Sequence, residues 1–280
     1  MTIRTLLFGM FILVCGCELE TEVDIDLPPD AGKMPVILCF AGPDQPVLAY
    51  VGQSAPLSAD SVLGIPTVIS FRIMQGNELL GELKPGPEPG VYVSEGPWPF
   101  IEGAPYHLEV HTVEFGKTSS RPAYLPDYNG ITHAFLQDST YGEYGYFDVG
   151  IQFDDPAHIE NFYAAKANYF NHGIALVDSS ASYAHLPLFK FDDVLFDGNP
   201  HFFSITIPKQ LNLDGNQRVT EADIILFNIS RGLFRFLSSI TQNEGTAQDV
   251  LLSTVPVESN IIGGAGVFGL FRSDTVKIGL

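Results

Sequence analysis

The chain has 280 residues, 45% of them hydrophobic and 12% aromatic, which excludes a disordered polypeptide and allows one large or two ordinary domains. A formal charge of −19 repels nucleic acid and anionic lipid, and no basic stretch with interleaved aromatics offsets it, so nucleic-acid binding is excluded.

Residues 1–16 have the layout of a secretory signal peptide. Arg4 precedes an apolar run from Leu6 to Val14, too short to cross a hydrocarbon core, which takes about 20 apolar residues. The run ends in Val14-Cys15-Gly16-Cys17, a relaxed lipobox with small Gly16 before the cut and the thiol of Cys17 as acceptor for diacylglycerol. An ordinary signal peptide cut nearby would instead leave Cys17 as a plain thiol. The lipidated form is the expectation, and several acyl chains, palmitate among them, make such an anchor stable. Processing removes Arg4 and takes the formal charge from −19 to −20. Only Cys39 then remains as a free thiol, so no intramolecular disulfide forms, and Pro35-Val-Ile-Leu-Cys-Phe-Ala41 reads as a buried strand with Cys39 as a small hydrophobe.

Residues 17–33 read as a lipidated acidic tether, with Glu18, Glu20, Glu22, Asp24 and Asp26 followed by Pro28-Pro29-Asp30-Ala31-Gly32. Residues 34–124 alternate short strands with turn signals, the strands at Val36–Phe40, Val47–Val51, Thr67–Met74, Leu79–Leu83, Val91–Ser94 and Tyr106–Glu114. That spacing predicts an immunoglobulin-like β-sandwich. Residues 125–280 predict a second β-rich region. Tyr146–Phe153 and Phe202–Ile207 alternate as half-buried strands. One helix falls near 230–242, where Leu233, Phe236, Leu237 and Ile240 keep helical spacing. The fold class is therefore mostly β.

Three patterns carry candidate chemistry, each with a plainer reading beside it. Asn212, Asp214, Asn216 and Asp223 fall at ligand positions of a twelve-residue calcium loop. However, Gln217 stands where the sharp turn wants glycine, Asp223 replaces the bidentate glutamate, and no helix former precedes Asn212. His107, Glu109 and His111 share one face of a strand within reach of one metal, yet alternation with buried Leu108 and Val110 explains them equally. Tyr141, Tyr144 and Tyr146 in an aromatic, glycine-containing stretch suit a partner surface, unless they pack beneath their own loop. The adjacent carboxylates Asp154-Asp155 and Asp192-Asp193 would point to opposite faces of a strand, so each pair reads as a turn marker. Serine-hydrolase, zinc-protease and nucleotide-binding motifs do not occur, and the reading is of a non-enzyme without cofactor.

Several segments in order carry a family resemblance: Val23-Asp-Ile-Asp-Leu-Pro28, Val36-Ile-Leu38, Ser54-Ala-Pro-Leu57, Phe153-Asp-Asp-Pro156, Asn161-Phe-Tyr163, Phe191–Gly198 and Val257–Gly269. Together they resemble the Bacteroidota lipoproteins known as domain of unknown function 4249. The chain departs from that pattern at Cys39 and Ala265. The resemblance implies an outer-membrane lipoprotein, surface-exposed by its acidic run, whose first domain is immunoglobulin-like and which works beside a TonB-dependent transporter. It supplies no catalytic residue; Asp197-Gly198 reads as a hairpin turn, and Gly263 and Gly264 as positions of unusual backbone angle. The expected function is a membrane-anchored binding or accessory module. A stand-alone surface module for glycan or protein is the alternative, and an unrecognised hydrolase the third.

Overall fold

The computed structural model describes residues 33–54, 64–141, 144–176, 189–211, 218–246 and 256–280. These fold as a mostly β protein with one described helix. Strands β1 (Pro35–Gly42), β2 (Gln45–Gln53), β5 (Lys84–Pro85) and β6 (Val91–Pro97) lie in one layer. Strands β3 (Val68–Gln75), β4 (Glu78–Glu82), β7 (Pro105–Thr112), β8 (Gly116–Ser120), β9 (Ala123–Tyr124) and β17 (Ile261–Ile262) form the facing one. Period-two alternation turns Ile37, Cys39 and Ala41 inward from β1, and Tyr106, Leu108 and Val110 inward from β7, into a shared core. Full burial of each large apolar side chain there contributes about 1.5–3 kcal/mol. Two sheets over one core are consistent with the sandwich expected for residues 34–124. Cys39 is fully buried, and burial pushes its thiol far above the ordinary cysteine range.

A second layered unit follows. Strands β10 (Ile131–Tyr141), β11 (Tyr144–Asp154) and β15 (Pro200–Pro208) make a three-stranded sheet. It packs on β12 (Phe162–Asn171), β16 (Glu221–Ile229) and the last part of β18 (Ala265–Gly279), with Val149, Ile151, Ile205, Ile207 and Ile224 in the core. The short β13 (Ile174–Leu176) and β14 (Phe189–Asp192) flank β12. Helix α1 (Arg231–Thr246) covers the opposite face, where Leu233, Phe236 and Leu237 pack on Ala164, Ile229, Val267 and Phe271. It occupies the region near 230–242 where the apolar spacing placed it, extended by one turn.

β18 joins the two units. Ala265–Leu270 runs parallel to β1, and Phe271–Gly279 runs antiparallel to β16. One nine-stranded sheet therefore passes from the N-terminal strands into the C-terminal ones, and residues 33–280 form one compact unit across position 124. Close approach at β1 needs a residue without a side chain. Gly266 has φ +113°, and a Cβ there would overlap the Ile37 carbonyl. Gly263 also has positive φ, whereas Gly264 does not: its constraint is space, because a Cβ would sit 2.6 Å from the Pro35 carbonyl oxygen. The Asp197-Gly198 turn has the expected positive φ at Gly198, but it is no hairpin. It passes the chain from β14 to β15, which lie in different sheets, because β14 pairs with β12 and β15 with β11.

Candidate functional site

Three of the segments that carry the resemblance, Phe153–Pro156, Asn161–Tyr163 and Phe191–Gly198, converge on one network. β11 ends at Asp154, and the chain turns through Asp155 and His158 (φ +66°) before β12 begins. β14 ends at Asp192, and the amides of Phe196 and Asp197 both donate to the Asp193 carbonyl at 2.8 Å, forming a tight turn. The two turns place carboxylate oxygens of Asp155, Asp193 and Asp197 within 4.8 Å of one another. Asp155 and Asp193 are buried; Asp197 is exposed.

Each carboxylate has protein donors. The Tyr163 hydroxyl donates to Asp155 Oδ1, and the Gly198 amide donates to Asp155 Oδ2 at 3.1 Å. The Asn161 amide donates to Asp193 Oδ2 at 2.7 Å, and the His158 amide to Asp197 Oδ1 at 2.7 Å. Asn129 Nδ2 completes the chain by donating to the Tyr163 oxygen at 2.7 Å. An aromatic shell surrounds the network. Phe153 lies 4.6 Å and Phe191 5.5 Å from Tyr163 between ring centres, and Phe196 stacks on His201 at 3.8 Å. In this low-dielectric setting, burial and the neighbouring Asp155 and Asp197 charges push the Asp193 carboxyl above its ordinary range, against the pull of the Asn161 amide. Burial pushes the Tyr163 phenol up, helped by Asp155, and holds the His201 imidazole down, opposed by Asp155.

Three such carboxylates are the only metal-capable group of three among the described residues. Their oxygens nevertheless accept hydrogen bonds from backbone amides and Tyr163, so the arrangement works as a clasp that fixes two loops. What it fixes is one wall of a groove. Asn161, pinned by Asp193, also donates its side-chain amide to the Ile159 carbonyl at 2.9 Å, which sets the course of Ile159–Phe162.

The groove has a volume of about 500 Å³, within the usual range for binding pockets. Its second wall is Arg121–Asp127, its floor is the start of α1, and Glu258–Asn260 closes one side. Asn260 is itself clamped to β18: its Nδ2 donates to the Phe268 carbonyl and its Oδ1 accepts the Phe268 amide, both at 2.8 Å. The Arg121 amide donates to the Asn260 carbonyl at 2.8 Å. Three of the chain's seven arginines, Arg121, Arg231 and Arg235, line this groove. Arg231 pairs with Glu160 at 2.9 Å. Among the described residues, the guanidinium groups of Arg121 and Arg235 have no partner.

The sequence-derived candidates lie elsewhere. Cys17 and the calcium-loop residues Asn212, Asp214 and Asn216 fall outside the described residues, and Asp223 stands in β16 opposite Lys277 of β18. His107, Glu109 and His111 alternate along β7 with fully buried Leu108 and Val110. Glu109 lies 3.9 Å from His107 and 2.8 Å from Lys117, and the trio does not close around a common point. The backbones of Tyr141 and Tyr144 pair in register at the end of the β10–β11 ladder, and Tyr146 is half-buried. The same ladder carries an exposed aromatic pair the sequence did not single out. Phe135 and Phe202 stack at 5.3 Å between ring centres, each about half exposed. The carboxylate clasp was also missed, although Phe153-Asp-Asp155 and Phe191-Asp-Asp193 share a pattern in which period two places each Phe and its second Asp on one face.

Among the described residues, no helix is long and apolar enough to cross a membrane. Comparison with curated proteins returns no match. A family model matches residues 20–277, which takes in every segment gathered around the clasp and the groove. The chain belongs to the family described as domain of unknown function 4249.

Proposed function

We propose that the protein is a lipoprotein anchored through Cys17 to the outer membrane, where it acts by binding, as an accessory to a TonB-dependent transporter. The observation that carries this reading is the use made of the polar residues gathered from the family-like segments. Asp155, Asp193, Tyr163 and Asn161 spend their hydrogen bonds on one another and on backbone, holding the wall of an open groove. Such an arrangement preorganises a recognition surface. Lipid sets the location, the acidic residues 17–33 set the reach, and the β-rich body makes the contact. Tethering raises the local concentration to about the millimolar range when span and linker match, so a weak interface suffices. Growth with labelled palmitate followed by membrane fractionation tests the anchor. The reading requires label on the wild-type chain in the outer membrane and none on Cys17→Ser; an unlabelled wild-type chain free of the membrane refutes it.

A stand-alone glycan-binding module is the second reading, favoured by the Phe135–Phe202 pair. The two rings are exposed on a sheet face whose neighbouring outward positions carry His133, Gln137 and Gln152, a combination of stacking surface and hydrogen-bonding groups suited to sugars. Saturable binding on a glycan array, abolished by Phe135→Ala, would establish it.

A further inference from the structure

We propose that the groove between Arg121–Asp127 and Ile159–Phe162 is a docking site for an acidic peptide segment of a partner protein, gripped by Arg121 and Arg235. The inference rests on the reading of the chain as a binding module and names the chemistry of its partner.

Charge distribution is the first argument. The protein carries −19 formal charges with only 14 basic residues to set against them, yet three arginines meet at one groove. Arg231 is committed: Glu160 holds it at 2.9 Å. Arg121 and Arg235 are exposed and, among the described residues, unpaired. An exposed arginine costs nothing to leave in water, but two unpaired guanidinium groups on one groove lining offer carboxylates two bidentate partners where a single surface arginine offers one. Clusters of arginine are the usual reader of acidic peptide motifs.

Shape is the second argument, and it selects a peptide over a simple anion. A volume of about 500 Å³ is far more than one oxyanion fills. The walls are two chain segments with apolar side chains turned outward: Tyr124 is 55% exposed and Ile159 46% exposed. These give side chains flanking a carboxylate something to bury against. With Arg231 neutralised by Glu160, the lining balances Arg121 and Arg235 against Asp127 and Glu258, so it has no net charge; this disfavours dense polyanions and suits a segment that mixes carboxylates with apolar and neutral residues.

The walls are also fixed before a ligand arrives. The Asp193–Asn161 bond holds one side and the Arg121–Asn260–Phe268 bonds the other, so little ordering is left to oppose binding.

The test is fluorescence anisotropy on the full-length chain with a labelled ten-residue peptide of alternating Glu and Leu, against the same peptide with Gln for Glu. The acidic peptide should bind at least tenfold tighter than the neutral one and weaken with added salt. Arg121→Gln with Arg235→Gln should weaken it tenfold or more, whereas Arg121→Lys with Arg235→Lys should recover part of the loss, since charge is kept and the fork is not. Lys84→Gln and Lys117→Gln, whose side chains pair with Glu95 and Glu109 away from the groove, should change nothing. Equal binding of the neutral peptide, an unchanged affinity in the double glutamine variant, or tighter binding of an acidic oligosaccharide than of the peptide would each overturn the proposal. None of these outcomes bears on membrane anchoring or on co-purification of a transporter, so the two readings fail separately.

Discussion

The buried hydroxyl of Tyr163 offers the sharpest test of the clasp. Tyr163→Phe removes one oxygen and leaves the ring, so packing against Phe153 and Phe191 is retained. Two groups lose their partner at once: Asp155 Oδ1, which accepts from the hydroxyl, and Asn129 Nδ2, which donates to it at 2.7 Å. Asp155 and Asn129 are both buried, and aromatic rings close off the site, so water replaces neither bond cheaply. A hydrogen bond to a charged group contributes about 1.5–3 kcal/mol and a neutral one about 0.5–1.5 kcal/mol, which together give about 2–4.5 kcal/mol. For a domain of this size each kcal/mol moves the midpoint by about 2–4 °C, so the expected fall is about 4–18 °C. Thermal unfolding followed by circular dichroism reads it directly, with Tyr124→Phe, an exposed tyrosine, as the control expected to move by less than about 0.5 kcal/mol. A Tyr163→Phe protein that melts with the control would refute the claim that the network holds these loops.

Three further outcomes follow from the same geometry. Burial raises the folded-state pKa of Asp193, so its protonation favours the folded form: its stabilising contribution is complete below the ordinary aspartate range and is lost as pH rises through the raised value. The stability difference between wild type and Asp193→Asn should therefore shift in favour of wild type between about pH 7 and about pH 4, measured by urea unfolding at each pH. Gly266→Ala forces a Cβ into the Ile37 carbonyl at a left-handed backbone position and should cost more than about 3 kcal/mol, visible as early unfolding and protease sensitivity. Cys39 is fully buried with its thiol held protonated, so native protein should leave it unreacted with an aromatic disulfide reagent until denaturant is added.

Strand positions were legible because alternation is a local signal. The runs Val36–Phe40, Val47–Val51 and Tyr106–Glu114 announce their buried faces, and the structure places strands β1, β2 and β7 over them. The helix was legible from Leu233, Phe236 and Leu237 for the same reason. The pairing of β18 with β1 at one end and β16 at the other was not, because nothing in Ala265–Gly279 encodes which strands it will meet. The clasp was half legible. Taking Asp154-Asp155 and Asp192-Asp193 as pairs hid the true partnership, which joins the second residue of one to the second residue of the other across 38 positions of chain. The groove could not be read at all, since its lining comes from four separated segments. Charge patterning also misled: an acidic average concealed three arginines brought to one place by the fold.

The central claim is that this chain works at a membrane by holding on to a partner. A tagged copy purified from native outer membranes in mild detergent, with the co-purifying proteins quantified by mass spectrometry, tests it most directly. The account predicts a TonB-dependent transporter in near-stoichiometric amount with the wild-type chain and its loss with Cys17→Ser. Recovery of the lipidated chain alone, abundant and without a transporter, would contradict it.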